Sequence, residues 1–168
     1  MKTKIYILSL GLVLCNLLVA QQDCSASTAT TTFNVTANVT AACSVVATPL
    51  TFGAFSPFGP DVMASNSITV TCSNGTAWSA GLSTGSGTFV NRQMTSATAP
   101  GTPLNYNIYT ANTYATVWGD GTGATQTIND TGTGLAQVKT AYGRIIGPQA
   151  TTHPANDYTD TITVTVTF

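Results

Sequence analysis

Charged side chains are scarce in this sequence. Asp, Glu, Lys and Arg make up 7% of the 168 residues, and glutamate is absent, whereas soluble domains average about 25% charged residues. No basic patch or polybasic segment is present, which excludes nucleic acid and an anionic membrane as partners. The solvent-facing positions must therefore carry Thr, Ser and Asn, a surface that suits packing against copies of itself.

Residues that catalyse reactions or bind metals are also few. The chain has one histidine, His153, and Asp157 lies four residues after it, but no Gly-x-Ser-x-Gly turn marks a nucleophile for a hydrolase. Asp120 lies in the glycine-rich run 119–123, yet one carboxylate is too few for a calcium loop. We therefore read this run as a hairpin turn next to Trp118. We expect no catalytic residues, no metal, no cofactor and no small-molecule substrate.

No segment after the N-terminal region has a helical period, and short β-favouring segments recur instead. Gly, Pro, Asn and Asp separate these segments, as expected for turns. Many short strands with intervening turns predict an all-β, two-sheet sandwich. The candidate strands are 28–40, 43–47, 66–73, 77–83, 104–110, 114–118, 124–128, 136–142 and 158–168.

The N-terminal residues predict an export signal. Two lysines precede an apolar run over residues 5–20, and a polar region follows it. Cys24, Ser25 and Ala26 supply small residues for cleavage after Ala26, and cleavage after Ala20 is the alternative. Removing residues 1–26 from the 168-residue chain leaves 142 residues, enough for one domain.

Two cysteines, Cys43 and Cys72, remain after that cleavage. An even pair in an exported chain predicts a disulfide. Cys72 shares a strand face with Ile68 and Val70, so the alternation that buries these aliphatic residues also directs its sulfur inward. We expect the bond to join the first two strands, with Trp78 packed nearby.

Two runs of alternating apolar and hydroxyl or amide residues lie near the two ends of the chain. Each run, if it forms a strand, has one apolar face. In the first run the apolar face consists of Phe33, Val35, Ala37 and Val39. In the second run it consists of Ile162, Val164, Val166 and Phe168. On pattern alone, these could be the first and last strands of a complete sandwich.

Taken together, several segments from Phe33 to Phe168 resemble the spore coat protein U domain family, whose members include Csu-type subunits of archaic chaperone–usher pili. The segments occur in the family's order and cover nearly the whole exported chain. They are 33–39, Cys43, 50–53, 68–72, 104–106, 118–121, 142–145, 157–162 and 164–168.

The resemblance implies an immunoglobulin-like β-sandwich that lacks its last strand. Residues 1–26 would be the signal peptide, residues 27–40 the donor strand that completes the next copy, and residues 41–168 the sandwich. The strand that contains Ile162, Val164, Val166 and Phe168 would border the groove and face a periplasmic chaperone. The expected partners are that chaperone, an outer-membrane usher and other pilus subunits. The expected location is a cell-surface pilus, reached through the periplasm, with a role in adhesion and biofilm formation.

Two alternatives stay open at this point. The protein could be a secreted coat or matrix protein that folds as a self-contained monomer. A small extracellular hydrolase that uses His153 is the other alternative.

Overall fold

A computed structural model describes residues 26–168. The chain divides into two units, Met1–Ala37 and Asn38–Phe168, and all the strands of the described residues lie in the second unit. The predicted export signal falls outside the described residues, apart from Ala26. None of the described residues belongs to a helix with the length and apolar character needed to cross a membrane.

Eight β-strands form the second unit, and every strand pair is antiparallel. They are β1 (Cys43–Ala47), β2 (Val62–Cys72), β3 (Ala77–Leu82), β4 (Arg92–Met94), β5 (Leu104–Tyr109), β6 (Ile128–Thr131), β7 (Ala136–Ile145) and β8 (Val164–Thr167). One sheet has the order β1-β2-β7-β5-β4, and the other has the order β6-β3-β8. The prediction of an all-β sandwich, with an immunoglobulin-like arrangement of two sheets, is confirmed.

The core lies between the two sheets and follows the alternation seen in the sequence. Ile68, Val70 and Cys72 are buried on β2, whereas the residues between them are more exposed. Trp78 on β3 and Trp118 also lie in this core. Burial of such apolar side chains supplies most of the driving force for folding.

Four predicted strands differ from the structure. Residues 28–40 form no strand, and β8 covers only part of the predicted segment 158–168. Residues 114–118 and 124–128 contribute isolated bridges, including a parallel one between Trp118 and Gln126. The glycine-rich run 119–123 therefore closes a loop with parallel ends, and the hairpin prediction is wrong. None of the predicted strands covers the three-residue strand β4, and the predicted segment 124–128 reaches only Ile128, the first residue of β6.

Gly143 on β7 leaves room for two side chains of the segment that follows β1. A Cβ atom there would lie 2.7 Å from Phe52 Cζ and 2.8 Å from Leu50 Cδ2, which is closer than atoms pack without displacement. The absence of a side chain on β7 thus lets the segment after β1 lie against the inner face of the large sheet. Phe52 also packs edge-on against the Tyr106 ring, with the centroids 5.8 Å apart.

Candidate functional site

The edges of the two sheets leave a cleft open to one side of the sandwich. β1 is an edge strand of the large sheet, and β8 is an edge strand of the small sheet. The two strands are neighbours across the gap between the sheets. No strand pair or bridge joins them in the described part of the chain. Each strand therefore has one edge without a strand partner, the kind of edge that pairs readily with another chain.

The hydrogen-bond register of β8 shows which of its backbone groups face this open edge. The Ser83 N–H donates to the Thr163 carbonyl oxygen at 3.0 Å, and Thr165 lies opposite Gly81. Hydrogen-bonded pairs alternate along an antiparallel ladder, so Thr163, Thr165 and Thr167 direct their backbone groups toward β3. Val164 and Val166 lie between them, and their N–H and C=O groups therefore point away from β3 and into the open side.

The hydrogen-bond register of β1 likewise shows which of its backbone groups face the open side of the cleft. The Ser73 N–H donates to the Ala42 carbonyl and the Thr48 N–H donates to the Ser67 carbonyl, each at 2.9 Å. These two bonds fix the alternation, so the backbone groups of Cys43, Val45 and Ala47 face outward from β2. Both walls thus offer backbone donors and acceptors to an extended segment.

The interior of the cleft is mainly apolar. It has a volume of about 430 Å³, and Ile68, Leu82, Ile108 and Ala141 from both sheets line it. Among the described residues that line it, Asp160 is the only charged one. A cleft of this composition fits apolar side chains without charges.

A second cavity, of about 600 Å³, adjoins the first, and the two share Leu50, Phe52, Met94 and Tyr158 as lining residues. Leu50, Phe52 and Phe55 are half-buried against the core. Residues 50–55 form no strand, and their backbone groups make no loop hydrogen bonds with the backbone of other residues in 26–168. Within the described residues, the side chains of this segment pack against the core.

The structure places the four residues predicted for the groove edge at different depths. Ile162 and Val164 line the cleft. Val166 packs against the core but is not among the residues that line the cleft, and Phe168 is 57% exposed. The alternation of half-buried and exposed residues over 162–167 matches the predicted apolar face.

The residues predicted for the donor strand are all exposed. The exposed fraction is 84% for Phe33, 84% for Val35 and 93% for Val39, and Ala37 is exposed as well. Within seven residues, three large apolar side chains are thus exposed.

The predicted disulfide between Cys43 and Cys72 is present in the structure. The two residues lie directly opposite each other, as the first pair in the register of β1 and β2, and their Cα atoms are 4.1 Å apart. The bond therefore fixes the beginning of β1 to the core.

The candidate catalytic pair does not assemble. His153 is exposed, and its ring contacts the Pro154 carbonyl at 3.0 Å. Asp157 instead accepts hydrogen bonds from Ser96 and Thr98, which lower its pKa to about 2. The carboxylate of Asp157 thus anchors the loop 96–98 and does not orient the histidine.

Asp120 accepts hydrogen bonds from the N–H and hydroxyl of Thr122, at 2.8 and 2.6 Å, and these bonds lower its pKa. The carboxylate closes a turn by these bonds. No group of three or more metal-binding side chains occurs within residues 26–168.

Comparison with known proteins assigns the family. The Spore Coat Protein U domain matches residues 29–165, which is most of the chain, so the protein belongs to this family. No curated protein matches it.

Among solved structures, the chain is similar to the complex of the chaperone CsuC with the tip adhesion subunit CsuE, a pre-assembly complex from archaic chaperone–usher Csu pili of Acinetobacter baumannii. The TM-score is 0.54 at 22% sequence identity, and the similarity covers 77% of this chain and 40% of that chain. At this identity the likeness concerns the fold.

Proposed function

We propose that this protein is a structural subunit of an extracellular chaperone–usher pilus and has no enzymatic activity. In this proposal residues 1–26 are the export signal, residues 27–40 are a donor strand, and residues 41–168 are the sandwich that receives the donor strand of another copy or of a related subunit. The observation that carries the proposal is the open β8 edge, where Val164 and Val166 direct side chains toward the core and backbone groups outward.

The donor segment suits the cleft in both chemistry and spacing. Phe33, Val35, Ala37 and Val39 occupy every second position, so an extended segment presents all four on one face. Burial of the three large side chains would contribute on the order of 5–9 kcal/mol before entropy. Pairing with the free groups of both walls adds backbone hydrogen bonds, each of about 1 kcal/mol.

The proposed partners follow from the same open edge. An unpaired edge beside an apolar cleft aggregates unless it is covered. We therefore expect a periplasmic chaperone to bind this edge before assembly. We expect the chaperone to hand the subunit to an outer-membrane usher. The similarity to a chaperone–subunit complex supports this part of the proposal. A role of the assembled pilus in adhesion and biofilm formation is proposed from the family.

The test compares two single substitutions in the full exported chain. Ala37→Arg places a long charged side chain on the apolar face of the donor segment, and we expect it to prevent assembly. Thr36→Arg places the same side chain on the opposite face, and we expect polymers to form. Electron microscopy and size-exclusion chromatography measure both outcomes.

Deletion of residues 27–40 provides a second test, because it removes the proposed donor and leaves the cleft intact. Polymers formed by the deleted chain would refute the donor-strand proposal. A full chain that stays monomeric at high concentration would favour a self-contained coat or matrix protein.

A further inference from the structure

The chain changes sheets just before β8. Thr159 and Thr95 exchange two backbone hydrogen bonds of 2.9 Å, and Thr95 directly follows β4 of the large sheet. Four residues later, Thr163 bonds to Ser83, which directly follows β3 of the small sheet. The groove edge therefore begins at a crossover that spans only residues 160–162.

Asp160 is the centre of hydrogen bonding at this crossover. Its carboxylate accepts the Tyr106 hydroxyl from the large sheet at 2.7 Å. It also accepts the N–H and hydroxyl of Ser86 at 2.9 and 3.0 Å, and the N–H of Thr161 at 2.8 Å. Hydrogen bonds to a charged acceptor are stronger than neutral ones, so one side chain ties the crossover to the large sheet and to the turn after β3.

The turn after β3 leaves no room for another side chain beside this carboxylate. Gly85 has a φ of +61°, and a Cβ atom there would overlap the carboxylate of Asp160. Glycine is required at this position both for the backbone conformation and for the close approach.

Arg92 holds the other end of the same turn. Its guanidinium group is fully buried and donates to the Ser83 carbonyl from Nε at 3.0 Å and from Nη2 at 2.8 Å. It also donates to the Trp118 carbonyl at 2.8 Å and to the Asn107 amide oxygen at 2.6 Å. Burial lowers the pKa of Arg92, and the charge of Asp160 opposes this effect.

Ser83 links the arginine to the groove edge. Its N–H donates to the Thr163 carbonyl at 3.0 Å, and its hydroxyl accepts the Thr163 N–H at 2.9 Å. Both backbone groups of Thr163 are thus bound by one residue, whose own carbonyl is bound twice by Arg92.

We propose that Asp160, Ser83 and Arg92 are positioning residues that hold the start of β8 in its strand conformation while the cleft is still empty. This inference rests on the proposed function, because it concerns the edge that a donor strand would pair with. β8 has only four residues and one strand neighbour. Without the hydrogen bonds of these three residues, we expect β8 to be partly disordered, and an incoming strand would then have to order β8 as it binds. Ordering a segment on binding weakens and slows association.

The experiment compares Asp160→Ala and Tyr106→Phe with the unchanged full exported chain. Amide hydrogen exchange, measured at a dilution that keeps the chain monomeric, reports how well β8 is ordered. We expect exchange at Thr163, Thr165 and Thr167 to become roughly ten- to a hundredfold faster in Asp160→Ala. In Tyr106→Phe we expect a smaller change at the same amides. Exchange within β2 and β7 should stay unchanged.

Asp157→Ala is the matched control. It also removes a carboxylate that accepts several hydrogen bonds, but that carboxylate binds the loop 96–98. We expect its exchange at the three β8 threonines to match that of the unchanged chain.

The rate of assembly at higher concentration is the second measurement. We expect assembly to be slower in Asp160→Ala than in the unchanged chain, because a smaller fraction of the chains then has an ordered edge. Faster exchange spread evenly over β2, β7 and β8 would overturn the inference, because the residue would then serve only global stability. Unchanged assembly despite faster exchange at the edge would overturn it as well. Deletion of residues 27–40 tests the donor-strand proposal separately. The amide hydrogen exchange of the monomer does not depend on the result of that deletion.

Discussion

Replacing Phe33 by alanine should weaken the joint between copies more than any other single truncation in the donor segment. Phe33 is 84% exposed in the chain, so nearly all of its ring is available for burial in a partner's cleft. Removing a buried phenylalanine side chain costs about 3 kcal/mol or more, which corresponds to roughly a 150-fold change in an equilibrium constant. Val35→Ala removes two methyl groups, worth about 1.6 kcal/mol, or roughly fifteenfold.

Dissociation of preformed polymers in guanidinium chloride, followed by light scattering, measures these differences. We expect Val35→Ala polymers to dissociate faster than polymers of the unchanged chain, and Phe33→Ala polymers to dissociate fastest. Thr36→Ala is the control, because its side chain lies on the other face, and exposed substitutions change stability by about 0.5 kcal/mol at most. Equal effects of Phe33→Ala and Thr36→Ala would show that residues 33–39 do not insert with the predicted face inward.

The other predictions concern stability and the rejected catalytic site. Joint replacement of Cys43 and Cys72 by serine should lower the free energy of unfolding by about 3–4 kcal/mol, measured by denaturant titration, with the reduced unchanged chain as the control. In the folded state the pKa of Asp157 is about 2, below the ordinary value of 3.8. Its hydrogen bonds therefore contribute stability that is present above pH 3.8 and is lost as pH falls toward 2. In acid titrations, Asp157→Asn should therefore unfold with a weaker pH dependence in this range. An unchanged acid transition would refute this assignment. His153→Ala should leave assembly and thermal stability unchanged, since the residue is exposed and its ring, among the described residues, hydrogen-bonds to its neighbour's carbonyl. A marked loss of assembly or of thermal stability would contradict this expectation and indicate a role for the ring.

The strands that could be predicted from the sequence are those with a strong period of two. The prediction for β1 is confirmed at both ends, and β2, β3, β5 and β7 lie where apolar residues alternate. β4 begins with Arg92, a residue that is rarely buried, and it has three residues, so no alternation could reveal it. Residues 28–40 have the clearest alternation but form no strand, because a strand also needs a hydrogen-bonded neighbour.

The apolar residues of the candidate site could be predicted from the sequence, but its polar residues could not. Ile162 and Val164 line the cleft on the face that the pattern indicated. The role of Asp160 depends on Tyr106 and Ser86, which are 54 and 74 residues away in the chain. Only the packing of the two sheets brings these residues together. The glycine at position 85 was a possible signal, but turns commonly contain glycine without such a contact.

The position of the disulfide has a mechanical consequence for a fibre of such subunits. Tension carried by residues 27–40 of one copy would reach its sandwich at Ala42, directly before Cys43. Pulled from that end, an edge strand would otherwise peel away one hydrogen bond after another. The Cys43–Cys72 pair comes first in the β1 register, so the load passes through a covalent bond into β2, and the four pairs behind it are shielded.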